Sequence, residues 1–465
     1  MQPTVAPGGA QPWWLEEAFA AEGGRVDAPP LEGDVRADVA IVGGGYTGLW
    51  TALAVLDRDP AASVAIVEAE FCGAGPSGRN GGFIEGYWPA LAELRDLFGS
   101  ERAVQLATAG EAIRPAVRAL GDDVWLREGG MMMVATTEAQ DRVVDHAVAA
   151  AAAAGRPEQA VELSPAEVEA RCRSPRFRRG VLFPDTGTVQ PARLVRALRR
   201  AALARGVSLY EGTPATSVDH GLITAPRGVV RAEQIVVATN AAMTDWPPVR
   251  GRLTVFGSYV VLTEPVPELL TEIGWTGGEA IVDARMFLHY FRTTDDGRVL
   301  MGSGSGPIGY GNRIDERFTH DAATGGRAEL GLRRLLPGLA DARVERSWGG
   351  PIDVSADHLP FVGAAGGGIH FAAGYSGNGV GPSFLAGQAL GSLATGRDDK
   401  WSTLPLVRGR GDRVPREPFR YLGGAAIRKA ILACEEADEA GRPAPLVARS
   451  VAAVPRALGM RLGTR

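Results

Sequence analysis

Cysteine and lysine are both scarce in this chain of 465 residues. The three cysteines, Cys72, Cys172 and Cys434, lie far apart and form no Cys-x-x-Cys or Cys/His spacing. We therefore expect neither a disulfide framework nor a metal site. The only lysines are Lys400 and Lys429, so every other basic side chain is an arginine.

Long apolar runs and a strong net charge are also missing. No stretch approaches the roughly 18 consecutive apolar residues that span a bilayer, and the first residues lack the basic and apolar regions of a secretory signal. A net charge of −5 gives no sign of nucleic acid as the main partner. With 45% hydrophobic and 22% charged residues, we expect a cytoplasmic globular protein of two or three structural units, with no integral membrane segment.

What is present is a nucleotide-binding pattern near the N-terminus. The apolar run from Val39 to Val42 predicts a buried strand, and it leads directly into Gly43-x-Gly45-x-x-Gly48. A helical pattern follows, and then a second apolar strand that ends in Glu68, twenty positions after Gly48. Strand, glycines, helix, second strand and terminal acid in this order predict a dinucleotide site.

Each part of the pattern has a physical task. Gly43 permits the tight turn, Gly45 lets the backbone approach a pyrophosphate, and Gly48 lets the helix pack close to the strand. The helix N-terminus offers free N–H groups to the phosphates, and the carboxylate of Glu68 can accept hydrogen bonds from a ribose. The pattern alone does not separate NAD from FAD.

The loop that follows Glu68 does favour one of them. Residues 68–82 read Glu-Ala-Glu-Phe-Cys-Gly-Ala-Gly-Pro-Ser-Gly-Arg-Asn-Gly-Gly, a run of small residues that suits a chain passing close under a large planar cofactor. At this point the sequence resembles the FAD-dependent oxidoreductases of the D-amino acid oxidase superfamily, and above all the branch of glycine, sarcosine and gamma-glutamylputrescine oxidases. The resemblance extends over residues 35–400.

The resemblance implies a set of FAD-binding residues in separate parts of the chain. Ala215 would contact the adenine through its main chain, and backbone N–H groups at the start of the helix after Gly379 would face the flavin edge that becomes negative on reduction. The expected FAD-binding residues are Gly43, Gly45, Tyr46, Thr47, Gly48, Glu68, Ala69, Ser77, Arg79, Asn80, Gly81, Ala215, Thr239, Gly374, Gly377, Asn378, Gly379 and Val380. We expect FAD to be bound non-covalently, because no cysteine or histidine lies where relatives attach it.

The expected fold class is α/β, with a Rossmann-like FAD-binding domain interleaved with a substrate domain on a mixed or antiparallel sheet. The FAD-binding domain would comprise residues 34–100, 186–250 and 350–400, and the substrate domain residues 101–185 and 251–349. Residues 401–465 would form a C-terminal helical extension. From Arg408 onward this extension carries twelve Arg or Lys against six Asp or Glu, so it is either a solvated appendage or a basic segment that lies on a membrane.

The chemistry that the resemblance implies is oxidation of the C–N bond of a small primary or secondary amine. A hydride passes to flavin N5, and the imine hydrolyses in water. A pocket that keeps the amine neutral needs no strong general base, which agrees with the absence of a catalytic triad or carboxylate pair from the sequence.

Three residues are candidates for the substrate side. Strand alternation places Tyr290 and Arg292 on one face, where Arg292 could clamp an anionic group and Tyr290 could donate a hydrogen bond. His358 could face the flavin. The alternative for all three is a structural role in the sheet, the core or a polar turn. Gly350 stands where amino acid oxidases of the superfamily carry a carboxylate-binding arginine, which argues against a simple α-amino acid bound in the usual way.

Two questions stay open at this level. The electron acceptor is O2 or an electron carrier, because the flavin-side lysine of sarcosine-type oxidases has no evident counterpart. The alternatives to an amine oxidase are a flavin hydroxylase that uses NAD(P)H and an RNA-acting or non-catalytic flavoprotein. The sequence favours neither, because it has no second Gly-x-Gly-x-x-Gly followed by a helix and no basic stripe with aromatics.

Overall fold

The computed structural model describes residues 11–457. The helices are α1 (Trp13–Ala21), α2 (Tyr46–Arg58), α3 (Leu91–Phe98), α4 (Ser100–Gly110), α5 (Ile113–Arg118), α6 (Glu138–Ala153), α7 (Pro165–Arg171), α8 (Pro191–Ala204), α9 (Pro267–Glu272), α10 (Ala322–Leu335), α11 (Val380–Ala394), α12 (Phe419–Glu439) and α13 (Leu446–Ala457). The strands are β1 (Gly33–Val42), β2 (Val64–Val67), β3 (Phe83–Ile84), β4 (Met131–Val134), β5 (Val161–Leu163), β6 (Gly180–Phe183), β7 (Gly187–Thr188), β8 (Ser208–Tyr210), β9 (Ser217–Asp219), β10 (Leu222–Ala225), β11 (Gly228–Val237), β12 (Leu253–Thr263), β13 (Ala280–Asp283), β14 (His289–Thr293), β15 (Val299–Ser303), β16 (Val344–Ser355), β17 (Phe361–Gly366) and β18 (Ile369–Ala373).

The first large sheet has a parallel centre. Its main path runs β17-β18-β11-β1-β2-β8, and β1 pairs in parallel with both β11 and β2. Alternate residues of β1 enter two different hydrophobic clusters, Val39 and Ile41 on one face and Ala40 and Val42 on the other. Burial on both faces explains the unbroken apolar run in the sequence.

Helix α11 packs closely on α2 above this sheet. A Cβ on Gly387 would lie 2.6 Å from the Cβ of Trp50, and one on Gly391 would lie 2.7 Å from the Cβ of Ala54. The two helices approach closely because α11 presents small residues to α2. As a result, both helix starts lie beside the same edge of the sheet.

The second large sheet is mixed. Its order is β16-β12-β15-β14-β13-β4-β6-β5, and its pairings are antiparallel except for the parallel pair β13 and β4. One face packs Val260, Tyr290 and Leu300 together with the helix α1, and the opposite face packs Val261 and Phe291 against α10. The expected fold class is confirmed, whereas the exact division into an FAD-binding and a substrate-binding domain stays a prediction.

The chain ends, within the described residues, in the helical pair α12 and α13. Glu435 fixes α12 to the turn before β14, because its carboxylate accepts hydrogen bonds from the N–H groups of Met286 (2.8 Å) and Phe287 (3.1 Å) and pairs with Arg285 at 2.9 Å. The predicted C-terminal helical extension is therefore present as α12 and α13, and residues 458–465 of its expected span lie outside the described residues. Across residues 11–457, no helix has both the length and the apolar character that crossing a membrane requires.

Helix α1 is an element that the sequence did not predict. Its Glu17 pairs with Arg193 of α8, and the main-chain oxygen of Trp14 accepts a hydrogen bond of 2.7 Å from the side chain of Gln190. The Trp14 ring is fully buried and donates from Nε1 to the main-chain oxygen of Asn80 at 3.0 Å. This helix therefore holds the glycine-rich loop against the second sheet.

Candidate active site

One cavity of about 550 Å³ lies between the two sheets. Its wall includes the glycine turn after β1, the end of β2, the loop 73–82, the turns before α2 and α11, and one face of strands β12, β14 and β16. The volume falls in the usual range for ligand sites. The cavity brings together chain segments that the sequence places far apart.

The glycines at one end of the cavity are required by close contacts. Gly43 has φ +111°, and a Cβ there would lie 2.5 Å from the main-chain oxygen of Ala238. A Cβ on Gly45 would lie 2.9 Å from Oγ of Ser77, the same oxygen that accepts a 3.0 Å hydrogen bond from the N–H of Tyr46. The tight turn therefore leaves bare backbone facing the cavity.

Glu68 lies on the cavity wall at the same end as the glycine turn after β1. Its carboxylate accepts hydrogen bonds from the N–H groups of Gly44 at 2.7 Å and Glu70 at 3.0 Å. Burial raises the pKa of Glu68 against the effect of these two donors. Ala69 and Ala215 line the cavity beside it. A carboxylate has more acceptor positions than two bonds use, so Glu68 can still accept from a ligand hydroxyl.

The other end of the cavity is formed by one face of the second sheet. Ser258 pairs with Gly350 in the β12–β16 ladder, and Tyr290 pairs with Gly302 in the β14–β15 ladder. The hydroxyl groups of Ser258 and Tyr290 lie 2.9 Å apart. Val260, Trp348 and Ile352 supply apolar surface on the same wall. This end therefore offers two hydroxyl groups in largely apolar surroundings.

The ring of Tyr290 occupies a space that two glycines leave open. A Cβ on Gly81 would lie 2.9 Å from its Cε2, and a Cβ on Gly302 would lie 2.0 Å from its Cζ. Phe83 meets the ring edge to face at a centroid distance of 5.6 Å. The position of Tyr290 is therefore set by the packing around it.

A buried carboxyl group holds the turn before α11. Asp353 accepts hydrogen bonds from the N–H groups of Gly374 (2.5 Å) and Tyr375 (3.2 Å) and from the side-chain amide of Asn240 (2.9 Å). Burial raises the pKa of Asp353 to about 7 in spite of these three donors. Asn240 itself has φ +48°, so the side-chain bond supports an unusual backbone conformation. Asp353 thus joins β16 to the turns after β11 and β18.

Most of the residues expected at the site lie on the cavity wall. Gly48 and Gly374 do not line it but shape the turns beside it, since a Cβ on Gly48 would lie 2.0 Å from the main-chain oxygen of Gly43. The expected residues that do line it are Gly43, Gly45, Tyr46, Thr47, Glu68, Ala69, Ser77, Arg79, Asn80, Gly81, Ala215, Thr239, Tyr290, Gly377, Asn378, Gly379 and Val380.

Arg292 and His358 are outside this wall. Arg292 is fully buried, and its guanidinium donates to the main-chain oxygens of Val189 and Thr293 and lies 5.5 Å from the Trp14 ring centre. Burial lowers the pKa of Arg292 to about 9. His358 lies in the turn after β16 with φ +61°. The structure therefore does not bring the expected anion clamp to the cavity, because α1 covers that part of the sheet.

Several lining residues were missed by the sequence reasoning. Asp353 had one signal, an acid between the apolar residues Ile352 and Val354, but its hydrogen-bond partners lie in distant segments. Glu85 is a buried acid on the same wall, and Gln11, Pro12 and Leu15 reach it from the N-terminal segment. No local pattern could have indicated these contacts.

Comparison with known families identifies the group to which this architecture belongs. The family described as FAD dependent oxidoreductase matches residues 38–393. The chain belongs to this family. The protein is therefore an enzyme. The resemblance to the D-amino acid oxidase superfamily that its sequence shows is confirmed.

Individual relatives support the assignment. The FAD-dependent oxidoreductase is 28% identical to the probable oxidoreductase OrdL of Rhizobium meliloti over 93% of this chain and 96% of the relative. It is also 28% identical to the gamma-glutamylputrescine oxidoreductase of Escherichia coli, over 85% of this chain and 93% of that protein. In fold it matches the crystal structure of glycine oxidase from Geobacillus kaustophilus with a TM-score of 0.65 and 24% identity, covering 80% of this chain and 99% of that one.

The groups around the cavity fit FAD. Helices α2 and α11 both begin on the cavity, and neither has a side-chain cap from its own N-cap residue. Apart from the N–H of Tyr46, which donates to Ser77, the N–H groups of their first turns can serve the pyrophosphate and the flavin edge. Glu68 suits the ribose, and the backbone beside Ala215 suits the adenine. Burial also raises the pKa of Tyr375, whose neutral hydroxyl lies 2.6 Å from Oγ1 of Thr47 between the two helix starts.

Proposed function

We propose that this FAD-dependent oxidoreductase oxidises the C–N bond of a small primary or secondary amine. One observation carries the proposal: a single cavity joins the nucleotide end at Glu68 to the hydroxyl groups of Ser258 and Tyr290 on the second sheet. A substrate on that sheet face would lie in the same cavity as the cofactor. The relatives named gamma-glutamylputrescine oxidoreductase and glycine oxidase indicate amines as the substrate class, and both of the compounds in these names carry a carboxylate.

The residues of the chain bind and orient the amine. Bound FAD supplies, at N5, the acceptor for the hydride that leaves the carbon beside the nitrogen. Ser258 and Tyr290 offer hydroxyl groups to the amine, and Val260 and Trp348 exclude water from its surroundings. Apolar surroundings lower the pKa of an amine and favour the neutral form that donates electrons. The imine product then takes up water and separates into a carbonyl compound and an amine or ammonia.

The mode of FAD binding and the electron acceptor are also part of the proposal. We propose non-covalent FAD because none of the cysteines within residues 11–457 lines the cavity, Cys72 being buried behind Gly44. We propose O2 as the oxidant. An electron carrier is the alternative, because no lysine within residues 11–457 lines the cavity to promote the reaction with O2. The cytoplasmic location stays a prediction.

The test is an anaerobic titration of the purified protein. The panel holds gamma-glutamylputrescine, sarcosine, glycine, aminophosphonates and D-amino acids, and the readout is loss of the visible flavin absorbance. One amine should bleach the flavin, and admitted air should restore the colour if O2 is the acceptor. If no amine bleaches the flavin but NADPH does, the enzyme is a hydroxylase. A protein that neither carries nor takes up flavin contradicts the assignment altogether.

A matched pair of variants tests the substrate end of the cavity. Tyr290→Phe removes a hydroxyl group that contacts Ser258, whereas Tyr310→Phe removes one from a ring that is 51% exposed. We expect Tyr290→Phe to raise the KM for the amine about 3- to 10-fold, the value of one ordinary hydrogen bond. Tyr310→Phe should leave KM unchanged. Equal KM values for both variants would place the amine elsewhere.

A further inference from the structure

The exposed aromatic residues of the protein lie together at the start of α12. Within residues 11–457, Phe419 and Tyr310 are the only aromatic residues that are exposed, Phe419 to 76%. Leu422, one helical turn after Phe419, is also exposed, and Tyr421 meets the ring of Tyr310 edge to face at a centroid distance of 5.4 Å. Single exposed apolar residues are common, but a contiguous group of them indicates a binding surface. We call Tyr310, Phe419, Tyr421 and Leu422 the apolar tip.

Three exposed arginines precede the apolar tip in the chain: Arg410, Arg413 and Arg416. Within residues 11–457 none of the three forms an ion pair, whereas Arg420 pairs with Glu417 at 2.8 Å. Asp412 is the only acid between the first and the last of them. Burial lowers the pKa of Arg252, and the charges of Arg413 and Arg410 lower it further, so these arginines are close enough to repel one another. The surface beside the apolar tip therefore carries positive charge without a counter-charge.

The other side of α12 is fixed on the loop that follows β15. Glu417 accepts a hydrogen bond of 2.8 Å from the N–H of Gly311, and Nε of Arg428 donates to the main-chain oxygen of Ser305 at 3.0 Å. The same loop reaches the cavity wall at Ile314. These contacts hold α12 in place without the apolar tip, so attachment to the rest of the protein does not account for its exposed side chains.

The charge around the apolar tip indicates which partner fits it. A second copy of the chain in a twofold contact would bring the same positive surface against itself, and the like charges would repel. The surface of an anionic membrane supplies the missing counter-charge and accepts apolar side chains at the level of its headgroups. Phenylalanine and leucine flanked by arginine are typical of helices that lie on such a surface.

The start of α13 offers a comparison within the same helical pair. Leu446 and Val447 are as exposed as Phe419. The exposed charges around them in the chain are two acids and two arginines, which balance: Glu436, Asp438, Arg442 and Arg449. Because α12 has 21 residues, its end lies about 30 Å from its start. An apolar pair without excess positive charge is therefore present at a distance from the apolar tip.

We propose that the protein binds to the surface of an anionic membrane through the apolar tip and the three arginines beside it. Phe419 and Leu422 enter the headgroup region, while the guanidinium groups of the arginines pair with lipid phosphates. Of the two interpretations that the sequence allows for the C-terminal extension, this is the segment that lies on a membrane. The inference does not depend on the proposed oxidation of an amine, because these residues lie outside the cavity.

Sedimentation of the full, FAD-loaded protein with lipid vesicles tests the inference. Wild type should bind vesicles of phosphatidylglycerol and phosphatidylcholine in equal parts and not vesicles of phosphatidylcholine alone, and high salt should weaken the binding. The triple variant Arg410→Gln, Arg413→Gln and Arg416→Gln should bind about 100-fold more weakly, since each arginine near an anionic surface contributes a factor of about 5. The double variant Phe419→Ser and Leu422→Ser should bind about 10-fold more weakly or less.

The matched control is the double variant Leu446→Ser and Val447→Ser, which removes the same number of exposed apolar side chains. It should bind the vesicles within about 3-fold of wild type, and every variant should keep the FAD content of wild type. Wild type that does not bind anionic vesicles, or that binds neutral ones equally well, overturns the inference. Size-exclusion chromatography without lipid tests the other partner. A wild-type dimer that Phe419→Ser and Leu422→Ser convert to a monomer would make this surface an interface between copies and would also overturn the inference.

A fluorescent label measures the contact without removing the arginines. Cys72 and Cys172 are buried, so in a Cys434→Ser background a thiol label attaches to Leu422→Cys or, as the control, to Val447→Cys. A polarity-sensitive label at position 422 should brighten on anionic vesicles, and the same label at position 447 should not. Absence of brightening at position 422, or equal brightening at both positions, would overturn the assignment of the contact to the apolar tip.

Discussion

Replacing Gly302 by alanine should displace the ring of Tyr290. A Cβ at position 302 would lie 2.0 Å from Cζ, 2.1 Å from Cε2 and 2.5 Å from the hydroxyl oxygen of Tyr290. The ring cannot retreat easily, because Gly81 lies against it on one side and Phe83 meets it at 5.6 Å. Overpacking of a filled site costs about 1–3 kcal/mol, so Gly302→Ala should lower the free energy of unfolding by that amount.

The neighbouring glycine gives a matched control. Gly304 follows the end of β15, and a Cβ there would meet no atom within 4 Å. Gly304→Ala should therefore change the free energy of unfolding by no more than about 0.5 kcal/mol. Urea unfolding of both variants with saturating FAD measures the two values under the same conditions. Similar losses at both positions would refute the packing argument.

A double-mutant cycle identifies the ring as the cause. In a Tyr290→Ala background the colliding atoms are gone, so Gly302→Ala should cost less than about 0.5 kcal/mol. The coupling energy between the two positions should then be close to the full cost of Gly302→Ala in wild type. A cost that is the same in both backgrounds would show that strain in β15, and not the ring of Tyr290, limits the size of residue 302.

Three further predictions follow from single contacts. Trp14→Phe removes the donor to the Asn80 main-chain oxygen, which should cost about 1–3 kcal/mol of unfolding free energy and weaken FAD retention. Burial raises the pKa of Asp353 from 3.8 to about 7, so the folded protein keeps a proton that the unfolded chain releases. The stability from this neutral carboxyl is complete below about pH 4 and falls by about 1.4 kcal/mol per pH unit up to about pH 7, and Asp353→Asn should remove that slope in urea unfolding. Glu435→Gln should lower the melting temperature more than Glu436→Gln, since Glu435 pairs with Arg285 whereas Glu436 is exposed.

The nucleotide end of the site could be predicted because its requirements are local. The turn at Gly43, the bare backbone at Gly45 and the acid at the end of β2 all depend on positions within one short stretch of chain. The parallel centre of the first sheet could also be predicted from the sequence, because strands that are buried on both faces require a continuous apolar run. The spacing of residues along the sequence is sufficient to predict a site where each contact joins residues that are close together in the chain.

The part played by α1 could not be predicted in this way. Trp14 reaches Asn80 through a hydrogen bond and Trp348 through an edge contact of 6.2 Å between ring centres, and both partners lie far along the chain. The burial of Asp353 depends likewise on Asn240 and on the turn before α11. An amphipathic pattern indicates that a helix packs against something, but it does not indicate against what.

Arg292 and Arg79 show which part of the site cannot be predicted from local sequence patterns. Strand alternation places Tyr290 and Arg292 on one face, and the ladder agrees, because their partners Gly302 and Leu300 are also two residues apart. That face is shared, however: the part near Tyr290 opens to the cavity, and the part near Arg292 is covered by Trp14. Arg292 is therefore held by main-chain oxygens under α1, while Arg79, from a loop with no strand pattern, reaches the open part beside Gly350. The face of a strand residue follows from its own position, but its access to a ligand follows from which distant element packs on that face.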